Sequence, residues 1–353
     1  LSRCDSLVRD PASADRHEES IAIKSIQRNR QRQSMDFYID GRWSTGEKRF
    51  EVINPFDQSV LDTVPAATEA DMEQAISGAV DGFQQLKSVS AYDRSAILRK
   101  AATLLSDRID DFATTIASEE GKTLREAKGE VERAVQTMEL SAEEAKRLGG
   151  EVLPHSAAEG MEGKLGITLR VPCGVVAAIT PFNFPLNLVC HKVGPALAAG
   201  NSVIIKPASD TPLTSLKLVE VLLEAGCPDK AIACVTGSGQ TVGNALSVDS
   251  RIRKISFTGS QEVGEAICRS AGLKRLTMEL GSNSPLVVMP DADLEKVQKA
   301  ITVSGYANAG QVCISAQRVI VHEEIHDELI AQLIPRVEAL KAGDPFDSDS
   351  KVG

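Results

Sequence analysis

Aromatic residues are scarce in this 353-residue chain: Phe, Trp and Tyr together make up 4% of it. A surface that stacks nucleic-acid bases draws on such rings, so the composition speaks against one. Positive charge is not in excess either. Thirty-nine Lys and Arg stand against 49 Asp and Glu, a net charge of −10, which argues against a general affinity for nucleic acid or anionic membrane. A local basic pocket for a phosphate remains compatible with it. There is no run of 18 or more uncharged apolar residues, the length a membrane-spanning helix requires. The seven cysteines, at 4, 173, 190, 227, 234, 268 and 313, form no C-x-x-C pair and no Cys/His metal spacing, so no metal is expected. Free thiols in a reducing compartment fit them best, and a cytoplasmic location is the expectation.

What is present is a globular composition, 42% apolar and 25% charged, long enough for two or three domains of about 150 residues. Residues 1–34 differ from the rest. They carry six Arg and no sustained apolar periodicity, and they read as a disordered extension or as sequence upstream of a start at Met35. Met35–Gly41 reads as a strand and a turn. Thr68-x-x-Asp71, Ser90-x-x-Asp93 and Thr123-x-x-Glu126 are capping signals that open three helices. The second has an apolar face of Ile97, Ala101, Leu104 and Leu105; the third, over 123–148, is closed by Gly149-Gly150. Residues 151–172, punctuated by Gly160, Gly163 and Gly166, suggest an extended hairpin.

Beyond it, short continuous apolar runs alternate with helical stretches. The runs are Val175–Ile179, Val203–Ile205, Ala231–Val235 and Lys254–Phe257; the helices lie near 185–199, 212–225, 240–247 and 260–271. Strands without polar alternation are covered on both faces, which predicts an α/β class with a doubly wound, Rossmann-like parallel sheet. Ligands of such sheets sit at the carboxyl ends of the strands. Four successive strand ends there carry Gly, Ser, Lys or Asn: Thr180-Pro181-Phe182-Asn183, Lys206-Pro207-Ala208-Ser209, Thr236-Gly237-Ser238-Gly239 with Gly243 following, and Thr258-Gly259-Ser260. Small residues and backbone N–H groups at helix starts suit a dinucleotide pyrophosphate. Each turn alone is explained equally by turn geometry, and Gly237-x-Gly239-x-x-x-Gly243 misses the usual dinucleotide spacing.

Two other places stand out. Leu276–Gly281 puts Glu279 inside an apolar stretch: either a surface carboxylate on an edge strand, or a partly desolvated general base. Asn308-Ala309-Gly310-Gln311-Val312-Cys313 places a cysteine in a Gly-punctuated loop after a helix, where a nucleophile is plausible chemistry and a small buried hydrophobe is the plain alternative. Cys173, Cys190, Cys234 and Cys268 lie in or beside regular elements, where structural burial suffices.

Thr180–Pro185, Lys206–Ser209, Phe257–Ser260, Met278–Gly281 and Gly310–Cys313 occur in the order and near the spacing of the NAD(P)-dependent aldehyde dehydrogenase superfamily, which the chain resembles from about Tyr38 to Gly353. The resemblance implies NAD or NADP as cofactor, a small-molecule aldehyde as substrate and a homodimer or homotetramer. It implies an NAD(P)-binding domain over 35–280, whose hairpin 151–172 bridges subunits, and the first part of a catalytic domain over 281–353. Cys313 would be the nucleophile, Glu279 the general base, and Asn183 with the Cys313 backbone N–H the oxyanion donors. Oxyanion donors of this kind lower a barrier by about 3–4 kcal/mol each. The thiohemiacetal on Cys313 would lose a hydride to the nicotinamide, and Glu279 would activate the water that hydrolyses the resulting thioester. Branches that transfer the acyl group to coenzyme A commonly lack that carboxylate.

Cofactor contacts would come from Thr180, Pro181, Phe182, Lys206, Ser209, Gly239, Gly243, Phe257, Thr258, Gly259, Ser260, Gly264, Leu280 and Gly281. Ser209 stands where strongly NAD-selective members often carry Glu, so NADP should be tolerated. Residues around Phe184, Gly281 and Cys313 look closest to branches acting on lactaldehyde, glyceraldehyde-3-phosphate without phosphorylation, and phosphono- or sulfoacetaldehyde. Arg125 and Arg133 could meet an anionic substrate group, or simply form salt bridges on their helix. The chain stops in a segment, Gly343–Asp347, that resembles a mid-domain loop of the family. It is therefore expected to be a fragment, inactive or aggregated alone. A structural homologue without turnover and a cofactor-free cysteine hydrolase are the competing classes.

Overall fold

The computed structural model describes residues 34–353; the extension expected over 1–34 lies, but for its last residue, outside the described residues. The chain enters through a hairpin of β1 (Phe37–Ile39) and β2 (Arg42–Ser44), turned by Asp40 and Gly41 in left-handed conformations. A second hairpin, β3 (Lys48–Ile53) with β4 (Val60–Ala66), leads into four helices, α1 (Glu69–Leu86), α2 (Ala91–Asp107), α3 (Ile109–Glu120) and α4 (Leu124–Ala145).

The capping signals do what the sequence requires. Thr68 with Asp71 and Thr123 with Glu126 form reciprocal boxes, and the Ser90 side chain accepts from the Asp93 N–H. The sequence reading misses α3, whose N-cap Arg108 makes no side-chain cap bond. Burial of Phe112, Ala113, Ile116 and Ala117 sustains that helix in place of a local start signal. The buried face of α2 is Leu98, Ala101, Ala102 and Leu105, which leaves Ile97 and Leu104 half-buried at its margin. Helix α4 ends at Ala145, before the two glycines.

The hairpin of 151–172 pairs only through β5 (Val152–Leu153) and β6 (Gly166–Ile167). There follow β7 (Val175–Ile179), α5 (Asn187–Ala198), β8 (Ser202–Lys206), α6 (Leu213–Glu224), β9 (Ile232–Cys234), a π-turn over Gly239–Gly243, α7 (Asn244–Val248), β10 (Ile252–Gly259), α8 (Gln261–Ser270) and β11 (Arg275–Leu280). The main sheet runs β11-β10-β7-β8-β9-β1-β2. Its first five strands are parallel, and the β1–β2 hairpin is antiparallel at the far edge.

Every residue of β7, β8 and β9 is buried, as the unbroken apolar runs predict for strands covered on both faces. Val175, Ala177, Ile179, Ile204 and Ala233 pack toward Met72 and Ile76 of α1, Leu246 of α7 and Ile267 of α8. Their neighbours in sequence point to the opposite face. The doubly wound α/β architecture is therefore present. The chain builds outward from β7 through β8 and β9, then returns to place β10 and β11 on its other side. That reversal opens a crevice between the carboxyl ends of β7 and β10, where sheets of this kind bind ligands.

The last part of the chain forms a separate parallel pair, β12 (Pro285–Val288) with β13 (Arg318–Val321), joined through α9 (Leu294–Tyr306) and followed by α10 (Glu323–Glu338). Among the described residues no helix is long and apolar enough to cross a membrane. Cys190, Cys227 and Cys234 are buried and Cys173 is half-buried. Cys268, expected to be buried, is exposed because α8 turns only Gly264 and Ile267 fully inward.

Candidate active site

A cleft of about 1360 Å³ occupies the crevice. Thr180, Pro181, Phe182 and Asn183 line it after β7, and Lys206 at the end of β8. Gly239 and Gly243 line it from the π-turn, and Phe257, Thr258, Gly259 and Ser260 from the end of β10 and the start of α8. Glu279, Leu280 and Gly281 close one side at the end of β11; Gly310–Cys313 closes another. Fifteen of the seventeen residues singled out in the sequence thus face one space.

Ser209 and Gly264 do not line it. Ser209 is exposed beyond Lys206 and donates to the Gly237 carbonyl at 3.3 Å. Gly264 lies inside α8, where a Cβ would stand 2.6 Å from Leu280 Cδ2; the missing side chain lets the helix pack on the leucine.

Cys313 is a free, exposed thiol. Its loop begins with three residues of positive φ, Asn308, Ala309 and Gly310, and its carbonyl accepts from the Ser282 hydroxyl. The Asn183 Nδ2 donates to the Gln311 carbonyl at 2.7 Å, which brings the side-chain amide to the same loop. Glu279 pairs in register with Thr258 on the edge strand β11, whose side chains alternate between exposed and half-buried. Of the two alternatives for Glu279, the structure has the exposed carboxylate on an edge strand. Its strand has one neighbour, and its carboxylate side faces open cleft.

Three basic side chains on the cleft wall carry no motif of their own. Lys192 on α5 is buried and donates to Thr258 Oγ1 at 2.8 Å and Ser256 Oγ at 3.2 Å. Burial pulls its pKa down to about 8, against the opposing pull of Glu279. His191 beside it is held below its ordinary value by burial, then by Arg133 and Lys192. Arg133 reaches the cleft from α4 with its guanidinium 5.9 Å from the Phe184 ring centre; Arg125 does not reach it. A lysine inside the apolar run Asn187–Ala198 was the sequence signal for Lys192.

The residues behind this wall were also missed. Lys122 and Glu130 form a buried ion pair at 2.7 Å. Glu120, at the end of α3, has its carboxyl pushed up to about 7 by burial, with Lys122 and an Asn308 hydrogen bond opposing.

The profile of the aldehyde dehydrogenase family matches residues 43–353. The 3-sulfolactaldehyde dehydrogenase of Priestia megaterium is 46% identical over 316 residues, 90% of this chain and 66% of that protein. The chain thus spans just under two thirds of that relative's length. The crystal structure of an NADP-dependent glyceraldehyde-3-phosphate dehydrogenase from Bacillus halodurans complexed with NADP superposes with a TM-score of 0.88 at 34% identity, covering 91% of this chain and 68% of that one. Aldehyde dehydrogenase 21 from Physcomitrella patens, in complex with the reaction product succinate, superposes with a TM-score of 0.86 at 36% identity, covering 90% and 67%. With a family match that takes in nearly all the described residues, and with Cys313, Glu279 and Asn183 gathered at the crevice of the sheet, the chain belongs to the aldehyde dehydrogenase family.

Proposed function

We propose that the protein oxidises a small, polar aldehyde to its carboxylic acid with NADP⁺ or NAD⁺, through an intermediate covalently bound to Cys313. The observation that carries this reading is the convergence of an exposed thiol, a side-chain amide and a solvent-facing carboxylate on one cleft. Residues 35–280 serve as the nucleotide-binding domain and 281–353 as the start of the catalytic domain. The assembly is a homodimer or homotetramer.

The cleft suits a dinucleotide. Ser260 caps the start of α8, whose first turn lines the cleft, and Gly259 leaves room for the Phe257 ring, which a Cβ there would meet at 2.5 Å. Among the described residues the buried Lys206 ammonium donates to the Pro207 carbonyl alone, at 2.9 Å, and so has protons left for a ribose or phosphate oxygen. Ser209 offers no charge to oppose a 2′-phosphate. Bound there, the dinucleotide supplies the hydride acceptor.

The chain's own residues do the rest. The Cys313 thiolate attacks the carbonyl carbon, and the Asn183 Nδ2 and the Cys313 backbone N–H stabilise the oxygen that becomes negative. After oxidation the acyl group is held as a thioester. Glu279, open to solvent, takes a proton from the water that releases the acid. Arg133, with Lys192 on the same cleft wall, presents positive charge to a distal anionic group on the aldehyde. The relatives named for sulfolactaldehyde and glyceraldehyde-3-phosphate, and the one that holds succinate, work on molecules with such a group.

The test is a burst of NAD(P)H release from a panel of small aldehydes, on the natural full-length protein and its Cys313→Ala variant. A burst that survives Cys313→Ala refutes the covalent route. A tenfold or greater preference for NAD⁺ in kcat/KM refutes the NADP tolerance.

A further inference from the structure

Asn183 lies in one βα turn and Cys313 in a distant loop, yet an oxyanion needs both at once. We propose that Asn308, Glu120 and Lys122 are positioning residues that fix the Asn183 amide against the Cys313 loop, an inference that rests on the roles given to Asn183 and Cys313 above.

A closed ring of hydrogen bonds joins the two. The Asn308 side-chain amide donates to the Asn183 carbonyl at 3.2 Å and to Glu120 Oε1 at 2.8 Å, while its N–H donates to Glu126 Oε1 at 2.9 Å. The chain then passes through left-handed Asn308, Ala309 and Gly310, with φ of 51°, 55° and 77°. This bend turns the Gln311 carbonyl back to receive the Asn183 Nδ2 at 2.7 Å. Asn is among the few side-chain-bearing residues that adopt such a φ readily, so its backbone and its amide serve the same ring.

The ring is anchored from behind. Lys122 Nζ donates to the Asn183 carbonyl and to Glu130 Oε2, both at 2.7 Å. Glu130 Oε1 in turn accepts the N–H groups of Leu186 and Asn187, at 2.9 and 3.0 Å, where α5 begins. Glu120 Oε2 accepts the Lys122 N–H at 2.8 Å. Asn308, Lys122 and Glu130 are buried, and none of them nor Glu120 lines the cleft. Their influence on the reaction passes through Asn183 and the loop.

Asn308→Gly keeps the left-handed backbone and removes the amide; Glu120→Gln keeps the volume and turns a donor toward one of two donors. In the natural full-length protein each should lower kcat, Asn308→Gly by about tenfold to a hundredfold, the scale of a small misplacement of reacting groups. The KM for NADP⁺ should stay within about twofold. In an Asn183→Ala background, Asn308→Gly should add less than about twofold, because the amide it positions is already gone. A general loss of structure would instead multiply the two losses. Unchanged kcat in Asn308→Gly, or losses that multiply, would overturn the proposal while leaving the Cys313 reading intact. Full turnover in Cys313→Ala would remove both.

Discussion

Replacing Lys122 by Met removes one half of a buried ion pair and leaves the other half in place. The pair is 2.7 Å long, with the two side chains 1% and 0% exposed. Breaking such a pair typically costs about 3–5 kcal/mol, since the remaining charge has neither water nor partner. Glu130 would still hold two backbone N–H groups at the start of α5, which sets the expectation at the lower end, about 3 kcal/mol. At about 1.3 °C per kcal/mol, the scale that about 2.1 cal/mol/K of unfolding entropy per residue sets for a chain of this size, Tm falls by about 4 °C. Urea unfolding followed by circular dichroism, together with the melting curve, measures both quantities. Adding Glu130→Gln to Lys122→Met neutralises the stranded charge and should restore at least about 1 kcal/mol. A loss below about 1 kcal/mol in the single variant, with no recovery in the double, would refute the electrostatic account of this frame.

Two other outcomes follow from the cleft. Ser209→Glu places a carboxylate near the expected 2′-phosphate; like charges about 4 Å apart repel by about 1–4 kcal/mol, so kcat/KM for NADP⁺ should drop at least about fivefold and that for NAD⁺ stay within about threefold. Equal losses with both cofactors would contradict the assignment of that turn. Lys192 has a folded-state pKa of about 8, below the 10.5 of a free lysine. Between those values the unfolded chain keeps a proton that the folded chain has released, so Lys192 makes stability rise as pH goes from 8 to 10.5 and adds no slope below 8. The size is on the order of 3 kcal/mol across the window. The difference in unfolding free energy between the natural protein and Lys192→Met, measured at both ends, should change by that order; a difference independent of pH would show that the amine is not desolvated.

Much of the fold was legible because its signals are local. Thr68, Ser90 and Thr123 mark helix starts within four residues of chain, and the runs Val175–Ile179 and Val203–Ile205 announce strands with no wet face. Helix α3 escaped because its start has no cap and its stability comes from residues it meets in space. The motifs around Cys313, Glu279 and Asn183 named the cleft before its shape was known.

By itself, then, the order of residues determined the layered α/β architecture, the turns that face the cleft and the family. Only the tertiary structure decided how wet each group is and which distant groups touch. Among the described residues Glu279 is exposed because β11 is the outer strand of its sheet, and Lys192 is buried because α5 presses it onto Ser256 and Thr258. The meeting of Lys122, Glu120 and Asn308 behind Asn183 has no signature in sequence, because hydrogen bonds between such distant residues exist only after the helices and the sheet have packed.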